Sequence, residues 1–406
     1  MRWQYDRPPK MDIAYTVRRS FPGPGGIATA MRSVARELAT RHRVRVWAAR
    51  VDDEPLTRLN ASSRPQRFRP FWSDGVEIRP IPMGVARLTT SPMGLLTVPG
   101  ARRVGYKVLR SATAPLYAGA VGARLRADWG APDIVHCWGG EHVNWAGASA
   151  ARAGKVPVVV TPFAHPKAWG DDPLNVAFYR AADLVLALLP SEAAFYASLG
   201  VEEAKVWSVG VPVTPLPDDG PDVRAAHGLS DEPLVLFLGV KEPYKGYGLV
   251  LAAAHEVWGK HPGARFAFVG PETAASEADF AGIADPRVVR VGRVSDAEVG
   301  SWMRAATMLV LPSVSEIMPV SILEAWSVGR PVVAARWWCA PDLIAHGRDG
   351  LLVDADAGQL AAAITELIDD PARAAALGRA GRDKAAEYTP EAVAARHEDA
   401  YRHAIG

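Results

Sequence analysis

Apolar residues in this chain recur in two rhythms. Short continuous runs, bounded by glycine, proline and polar residues, read as buried strands, and segments with apolar positions three or four apart read as helices. In the first half the runs are Met11 to Val17, Val44 to Ala48, Val76 to Ile81, Asp133 to Cys137, Val156 to Thr161, Leu184 to Leu188 and Val206 to Val209. Between the first two, Ile27 to Ala39 puts Ile27, Met31, Val34, Ala35 and Leu38 on one helical face. This β-α-β opening predicts a parallel sheet. Residues 52 to 75 are polar and proline-containing and read as surface loop, and residues 1 to 10 as an arm. Val211 to Asp222, VPVTPLPDDGPD, has the composition of a linker.

The alternation then restarts. Leu234 to Leu238, Arg265 to Val269, Val288 to Val291, Met308 to Leu311 and Val332 to Ala335 read as strands, and Gly246 to Trp258, Leu360 to Ile368 and Ala372 to Glu387 as helices. The fold class is α/β, with two Rossmann-like parallel-sheet domains. The predicted division is residues 1–212, residues 221–388 and a C-terminal helix, 389–406, returning toward the first domain. Two such domains facing each other would leave a cleft at the carboxyl ends of both sheets.

One stretch, Thr307 to Ala335, combines these signals with chemistry. A strand to Leu311 leads into a polar loop, and a helix is predicted from about Pro319, since proline suits the first helical position. Gly329 ends that helix. Glu316 in the loop and Glu324 in the helix bracket a helix N-terminus, which attracts anions. A ligand carrying phosphate and hydroxyls suits all three. Glu324 has a second reading, a capping box with Ser321.

Composition narrows the class. The chain has 406 residues, 49% hydrophobic and 22% charged, and a net charge of +2, which gives no argument for nucleic acid. Cys137 and Cys339 match no metal or disulfide spacing, and a reducing cytoplasmic compartment fits. MRWQYDRPPK has no apolar core, so no secretory signal is expected. Leu88 to Asp128 is basic, with Arg102, Arg103, Lys107, Arg110, Arg124 and Arg126. It reads either as helices with a solvated face or as a docking surface for anionic lipid or an acidic acceptor, a possible peripheral membrane contact.

Other candidates lie at strand ends. Gly23-Pro24-Gly25-Gly26 precedes the first helix and would let a ligand approach its unpaired N–H groups. The spacing Gly23 to Ala28 also fits a dinucleotide fingerprint, but about five residues separate it from the expected strand end. Lys245, in FLGVKEPYKGYG, follows a buried strand and would neutralise a diphosphate leaving group. His165 and His136 each lie near a strand end in the first half. No metal-ligand cluster is evident. Asp354-Ala355-Asp356 reads as a helix cap.

The segment S-E-I-M-P-V-S-I-L-E-A resembles the E-x7-E signature of retaining glycosyltransferases, family 4 in particular, whose usual form is S-E-G-F-G-L-x-x-L-E-A. The resemblance extends over most of the chain. It implies a GT-B fold and transfer of a sugar from a nucleoside-diphosphate sugar to a hydroxyl-bearing small-molecule, glycan or lipid-linked acceptor, with retention. The absence of an evident metal-ligand cluster predicts that the transfer needs no metal, and no other cofactor is expected. By the same resemblance Glu316 faces the transferred sugar, Glu324 accepts from the ribose hydroxyls, and Lys245 meets the diphosphate. Gly25 and Gly26 lie against donor phosphates and acceptor, and His165 lies beside the reacting carbon. Arg293, in Val291-Gly292-Arg293-Val294, lies near the nucleobase. Met318, Val320 and Ser321 belong to the cradle, which loses one N–H because Pro319 has none. The family's usual arginine is absent. Val240 occupies its place, so either Lys241 supplies a second charge or one cation suffices. The rival classes are a nucleotide-sugar epimerase, a non-catalytic sugar-nucleotide-binding protein and a nicotinamide-dependent oxidoreductase.

Overall fold

A computed structural model describes residues 10–20, 26–51, 69–81, 115, 116, 118–140 and 142–406. The chain forms two compact units. The first comprises Met1–Leu188, Ala193–Val209 and Val393–Gly406, and the second Leu189–Glu192 and Gly210–Ala392.

The first unit is built on an eight-stranded sheet in the order β3-β4-β2-β1-β5-β6-β7-β8. The strands are β1 (Asp12–Ser20), β2 (Arg43–Val51), β3 (Phe71–Ser73), β4 (Val76–Pro80), β5 (Ile134–Trp138), β6 (Val158–Thr161), β7 (Leu184–Ala187) and β8 (Val206–Ser208). All pair in parallel except β3 with β4. Every residue of β5, β6 and β7 is buried, as expected where helices cover both faces.

Two expectations change. β1 continues past Val17 through Arg18 to Ser20, because its backbone stays paired with β2 whatever the side chains, Arg19 opposite Arg50 and Ser20 opposite Val51. Only Phe21 and Pro22 then separate strand from Gly23, which shortens the turn assumed above. The segment 52 to 75 is not all loop. Its end forms β3, joined to β4 through Asp74 (φ 51°) and Gly75 (φ 77°), the left-handed pair that a tight hairpin favours.

Residues of the C-terminal helix Pro390–Ile405 complete this unit's core. The Tyr401 hydroxyl lies 2.6 Å from His136 Nδ1 and 2.9 Å from the Tyr15 hydroxyl, and His136 Nε2 lies 2.8 Å from Thr161 Oγ1. His397 stacks on Trp138 with ring centres 5.6 Å apart.

The second unit carries a six-stranded, all-parallel sheet in the order β11-β10-β9-β12-β13-β14. The strands are β9 (Leu234–Leu238), β10 (Arg265–Val269), β11 (Val288–Val291), β12 (Met308–Leu311), β13 (Val332–Ala335) and β14 (Leu351–Val353). The chain runs outward from β9 in one direction, then returns to the other side of β9 with β12. That reversal is a topological switch point, where a crevice opens at the carboxyl ends of the strands. Close packing fixes the elements beside it. Gly246 is left-handed (φ 81°), and a Cβ there would lie 2.3 Å from the Pro312 carbonyl oxygen. Gly381 of the helix Pro371–Ala385 sits against Trp326, where a Cβ would lie 2.1 Å from the indole.

Candidate active site

The switch point of the second unit brings together Lys245 and Glu316, two of the charged residues that the sequence singles out. After β9 the chain makes a 3-10 turn, Pro243–Lys245, and left-handed Gly246 sends it into the helix Tyr247–Lys260. Lys245 thus stands at the carboxyl end of β9. After β12 the loop 312–319 carries Glu316. Backbone pairing ties the two segments together: Val314 N–H donates to the Tyr244 carbonyl at 2.9 Å, and Ser313 Oγ donates to the same oxygen at 3.2 Å. The Lys245 ammonium is bonded to Glu316 Oε1, which also accepts from Ser313 Oγ at 2.9 Å. Glu316 is only 8% exposed.

The helix that follows spans Val320–Ser327, with Pro319 at its N-cap and no side-chain cap. It therefore begins one residue later than proline at the first position implies. Val320 and Ser321 head it, and their N–H groups belong to the first turn, which has no partners within a helix. Ser321 lies inside the helix, so it cannot be the capping residue, and the capping-box reading of Glu324 falls. Glu324 is partly buried. Burial pushes its carboxyl up to about 7, and Asp296 adds to the rise. Met318 is buried.

Lys241 requires a correction. It is fully buried, and its ammonium donates to the carbonyls of Gly270 at 2.6 Å and Val291 at 2.7 Å, with Glu272 at 3.5 Å. Burial lowers its pKa, and Glu272 opposes that shift. Its charge holds the ends of β10 and β11 together rather than being presented to a ligand. A buried ammonium has to satisfy its donors locally, and these carbonyls are the nearest acceptors. Arg290, paired with Glu272, completes that network. Arg293 is exposed in the turn after β11.

Sequence reasoning missed the loop after β13. Trp337 Nε1 donates to the Ile317 carbonyl at 3.4 Å, and Cys339 Sγ lies 3.4 Å from the same oxygen and 3.6 Å from the Glu316 carbonyl. These bonds support the Glu316 loop from behind, with Trp338 turned outward and 37% exposed. The adjacent tryptophans at a strand end were the available signal.

In the first unit the two histidines separate. His136 lies within β5, fully buried, with partners on both ring nitrogens, and burial holds its pKa well below the ordinary value. It is a core residue. His165 follows β6 in a tightly wound loop that includes Phe163 (φ 54°) and Lys167 (φ 63°), and its ring packs 3.9 Å from that of Trp169, which is 51% exposed. Gly26 opens the helix Gly26–Ala39, whereas Gly23 and Gly25 lie outside the described residues. So do Arg102, Arg103, Lys107 and Arg110 of the basic stretch. Asp356 caps the helix Ala357–Asp369 by accepting from Gln359 N–H at 2.9 Å. Among the described residues, no three His, Cys, Asp or Glu side chains cluster as a metal site would require, and no helix is long and apolar enough to cross a membrane.

Known proteins match this arrangement. Residues 25–211 match the glycosyl transferase 4-like domain and residues 232–370 the glycosyl transferases group 1 domain. A GDP-mannose-dependent alpha-(1-6)-phosphatidylinositol monomannoside mannosyltransferase of Mycolicibacterium smegmatis is 30% identical over 70% of this chain and 80% of its own. A D-inositol 3-phosphate glycosyltransferase 2 of Catenulispora acidiphila is 32% identical over 67% of this chain and 71% of its own. Among solved structures, sucrose-phosphate synthase from Thermosynechococcus elongatus superposes with a TM-score of 0.74 at 22% identity, covering 97% of this chain and 99% of its own. Anabaena Alr3699/HepE in complex with UDP-glucose gives 0.69 at 17% identity, over 97% and 100%. Two parallel α/β sheets, matched along nearly the whole chain, give the fold as GT-B. With both halves matched by glycosyltransferase domains and relatives at 30% and 32% identity over most of their length, the chain belongs to the group 1 glycosyltransferases and is an enzyme of that family.

Proposed function

We propose that this glycosyltransferase moves a hexose from a nucleoside-diphosphate sugar to a hydroxyl-bearing acceptor, with retention of anomeric configuration and without a divalent metal. The observation that carries the reading is the juxtaposition of Lys245, Glu316 and the head of the helix Val320–Ser327 at the β9/β12 switch point. Lys245 and the Val320 and Ser321 N–H groups meet the charge that develops on the departing diphosphate, which lowers the barrier most where water is excluded. They supply the electrostatic role that a metal ion fills elsewhere. Glu316 orients the sugar through its hydroxyls, and Glu324 accepts from the ribose. The sugar then reacts as an oxocarbenium-like species on the face its leaving group vacates.

The relatives guide the substrates to assay. The mycobacterial enzyme is by its name GDP-mannose-dependent, and the Anabaena protein has been crystallised with UDP-glucose. Both donors suit a cradle that reads diphosphate and ribose before it reads the base. The acceptors in the relatives' names are inositol phosphates and a phosphatidylinositol mannoside, and these are the first to test. His165 of the first unit is assigned to the acceptor side, where a neutral imidazole can bond a hydroxyl.

The test is transfer from GDP-mannose and UDP-glucose to D-inositol 3-phosphate and to phosphatidylinositol mannoside, with the product anomer read by NMR and the reaction repeated in EDTA. An α-linked product formed equally with and without chelator is expected. A β-linked product would overturn retention, loss of activity in EDTA would overturn metal independence, and a sugar nucleotide altered without any acceptor would make the protein an epimerase.

A further inference from the structure

We propose that the Lys245–Glu316 ion pair is a latch through which the site favours an intact sugar nucleotide over the spent nucleoside diphosphate. The inference rests on the donor reading above and concerns how selectively that site is filled. Lys245 is the cation assigned to the diphosphate, and Glu316 is the carboxylate assigned to the sugar. The structure bonds them to each other.

The pair is sheltered and preset. The two side chains are 18% and 10% exposed. Ser313 holds Glu316 at 2.9 Å, and Ser313 and Val314 both donate to the carbonyl of Tyr244, the residue before Lys245. The backbone therefore keeps the two charged residues within reach of one another. The Tyr244 ring, 5.4 Å from the ammonium, covers a further side.

A diphosphate arriving at Lys245 competes with Glu316 for the same ammonium. A displaced carboxylate keeps its charge in a partly buried place with Ser313 as its remaining donor, which is unfavourable. A donor that still carries its sugar brings hydroxyls to the released Glu316, and these donate to it in place of Lys245. A nucleoside diphosphate brings none. The latch thus weakens binding of the product nucleotide more than binding of the donor, and it limits inhibition by the product.

Isothermal titration of the full chain with pyrophosphate, GDP, GDP-mannose, UDP and UDP-glucose tests this, comparing wild type with Glu316→Gln. The amide keeps the size and loses the charge. For whichever base binds, Glu316→Gln should bind the nucleoside diphosphate roughly tenfold tighter, with no gain for the sugar nucleotide, so the preference for intact donor shrinks by the same factor. Pyrophosphate should tighten likewise. In a Lys245→Met background the Glu316→Gln gain should vanish, as coupling through one pair requires. A thermal unfolding midpoint checks the fold, and Glu316→Ala carries the same comparison if the glutamine variant misfolds. Unchanged or weaker diphosphate binding in a folded Glu316 variant overturns the latch alone. Failure of the wild type to bind any of the five probes overturns the donor reading and the latch with it.

Discussion

The two sheets place successive strands on either side of their first strand in the same way, yet they treat polar residues in opposite ways. In the second unit, the segments after β9 and β12 leave Lys245 and Glu316 paired with each other and still within reach of solvent. In the first unit, polar side chains of β1 and β5 turn inward. Tyr15, His136 and Tyr401 form a buried chain of hydrogen bonds, closed by the C-terminal helix. One arrangement keeps charge at the edge of solvent, and the other ties buried side chains to each other. Polar residues within the strands of one sheet and in the loops after the strands of the other therefore carry different chemistry, and burial tells the two apart.

The largest effect that would break this contrast is in the first unit. Tyr401→Ala removes a fully buried aromatic ring and deprives His136 and Tyr15 of a partner, which should cost about 3–5 kcal/mol in denaturant unfolding. Nucleotide affinity of the folded fraction should not change. A loss of affinity would mean that the closed network also serves the site.

Next in size, Lys245→Ala should lose ~1.5–3 kcal/mol of transition-state stabilisation, roughly 10- to 200-fold in kcat/KM. Full turnover in a folded variant would remove Lys245 from the chemistry. Lys241→Met is the internal control, since it removes a buried cation of the same type. It should cost about 1–3 kcal/mol of stability by taking the ammonium donor from the Gly270 and Val291 carbonyls. If it abolished diphosphate binding without destabilising the fold, Lys241 would belong to the ligand after all.

The most gradual effects are titrations, and they run in opposite directions. Burial holds His397 at about 4, against the ordinary 6.5, so the unfolded chain takes up the proton first. That contribution to stability is complete above pH 6.5 and is lost as pH falls toward 4. Glu324 is raised by burial and Asp296 from the ordinary 4.5 to about 7, so the folded chain holds the proton more tightly. Its contribution to stability falls as pH rises from 4.5 to 7. Nucleotide affinity should do the reverse and increase between about pH 6 and pH 8 as Glu324 ionises and becomes a stronger acceptor. Asp296→Asn should shift that affinity profile to lower pH. An identical profile would show that Glu324 does not titrate with the ligand.

Much of the architecture was legible in the chain. Continuous apolar runs such as Leu234–Leu238 and Met308–Leu311 are strands with the bounds that their composition marks, because a strand buried on both faces tolerates little else. Punctuation was legible too: Gly329 ends its helix in the left-handed conformation that glycine permits. Elements whose signal is pairing rather than composition were not. β1 runs on through two arginines, and the antiparallel β3 is three residues long. The Asp74-Gly75 turn would have revealed β3, since those residues suit the left-handed positions of a tight hairpin.

At the site, the sequence by itself determined which residues carry charge and that they follow strands of an alternating α/β chain. Residue order and the period of apolar positions are enough for that. Only the tertiary structure decided what each charge does. Lys241 and Lys245 are four residues apart in one loop, and His136 and His165 both stand near strand ends. One lysine is drawn under the strand carbonyls while the other meets Glu316, and one histidine is locked in the core while the other packs against the exposed Trp169. The physical reason is that a side chain's partners and its access to water depend on segments far away in sequence, such as Gly270, Val291, Ser313 and Tyr401. Those segments are brought near only by folding.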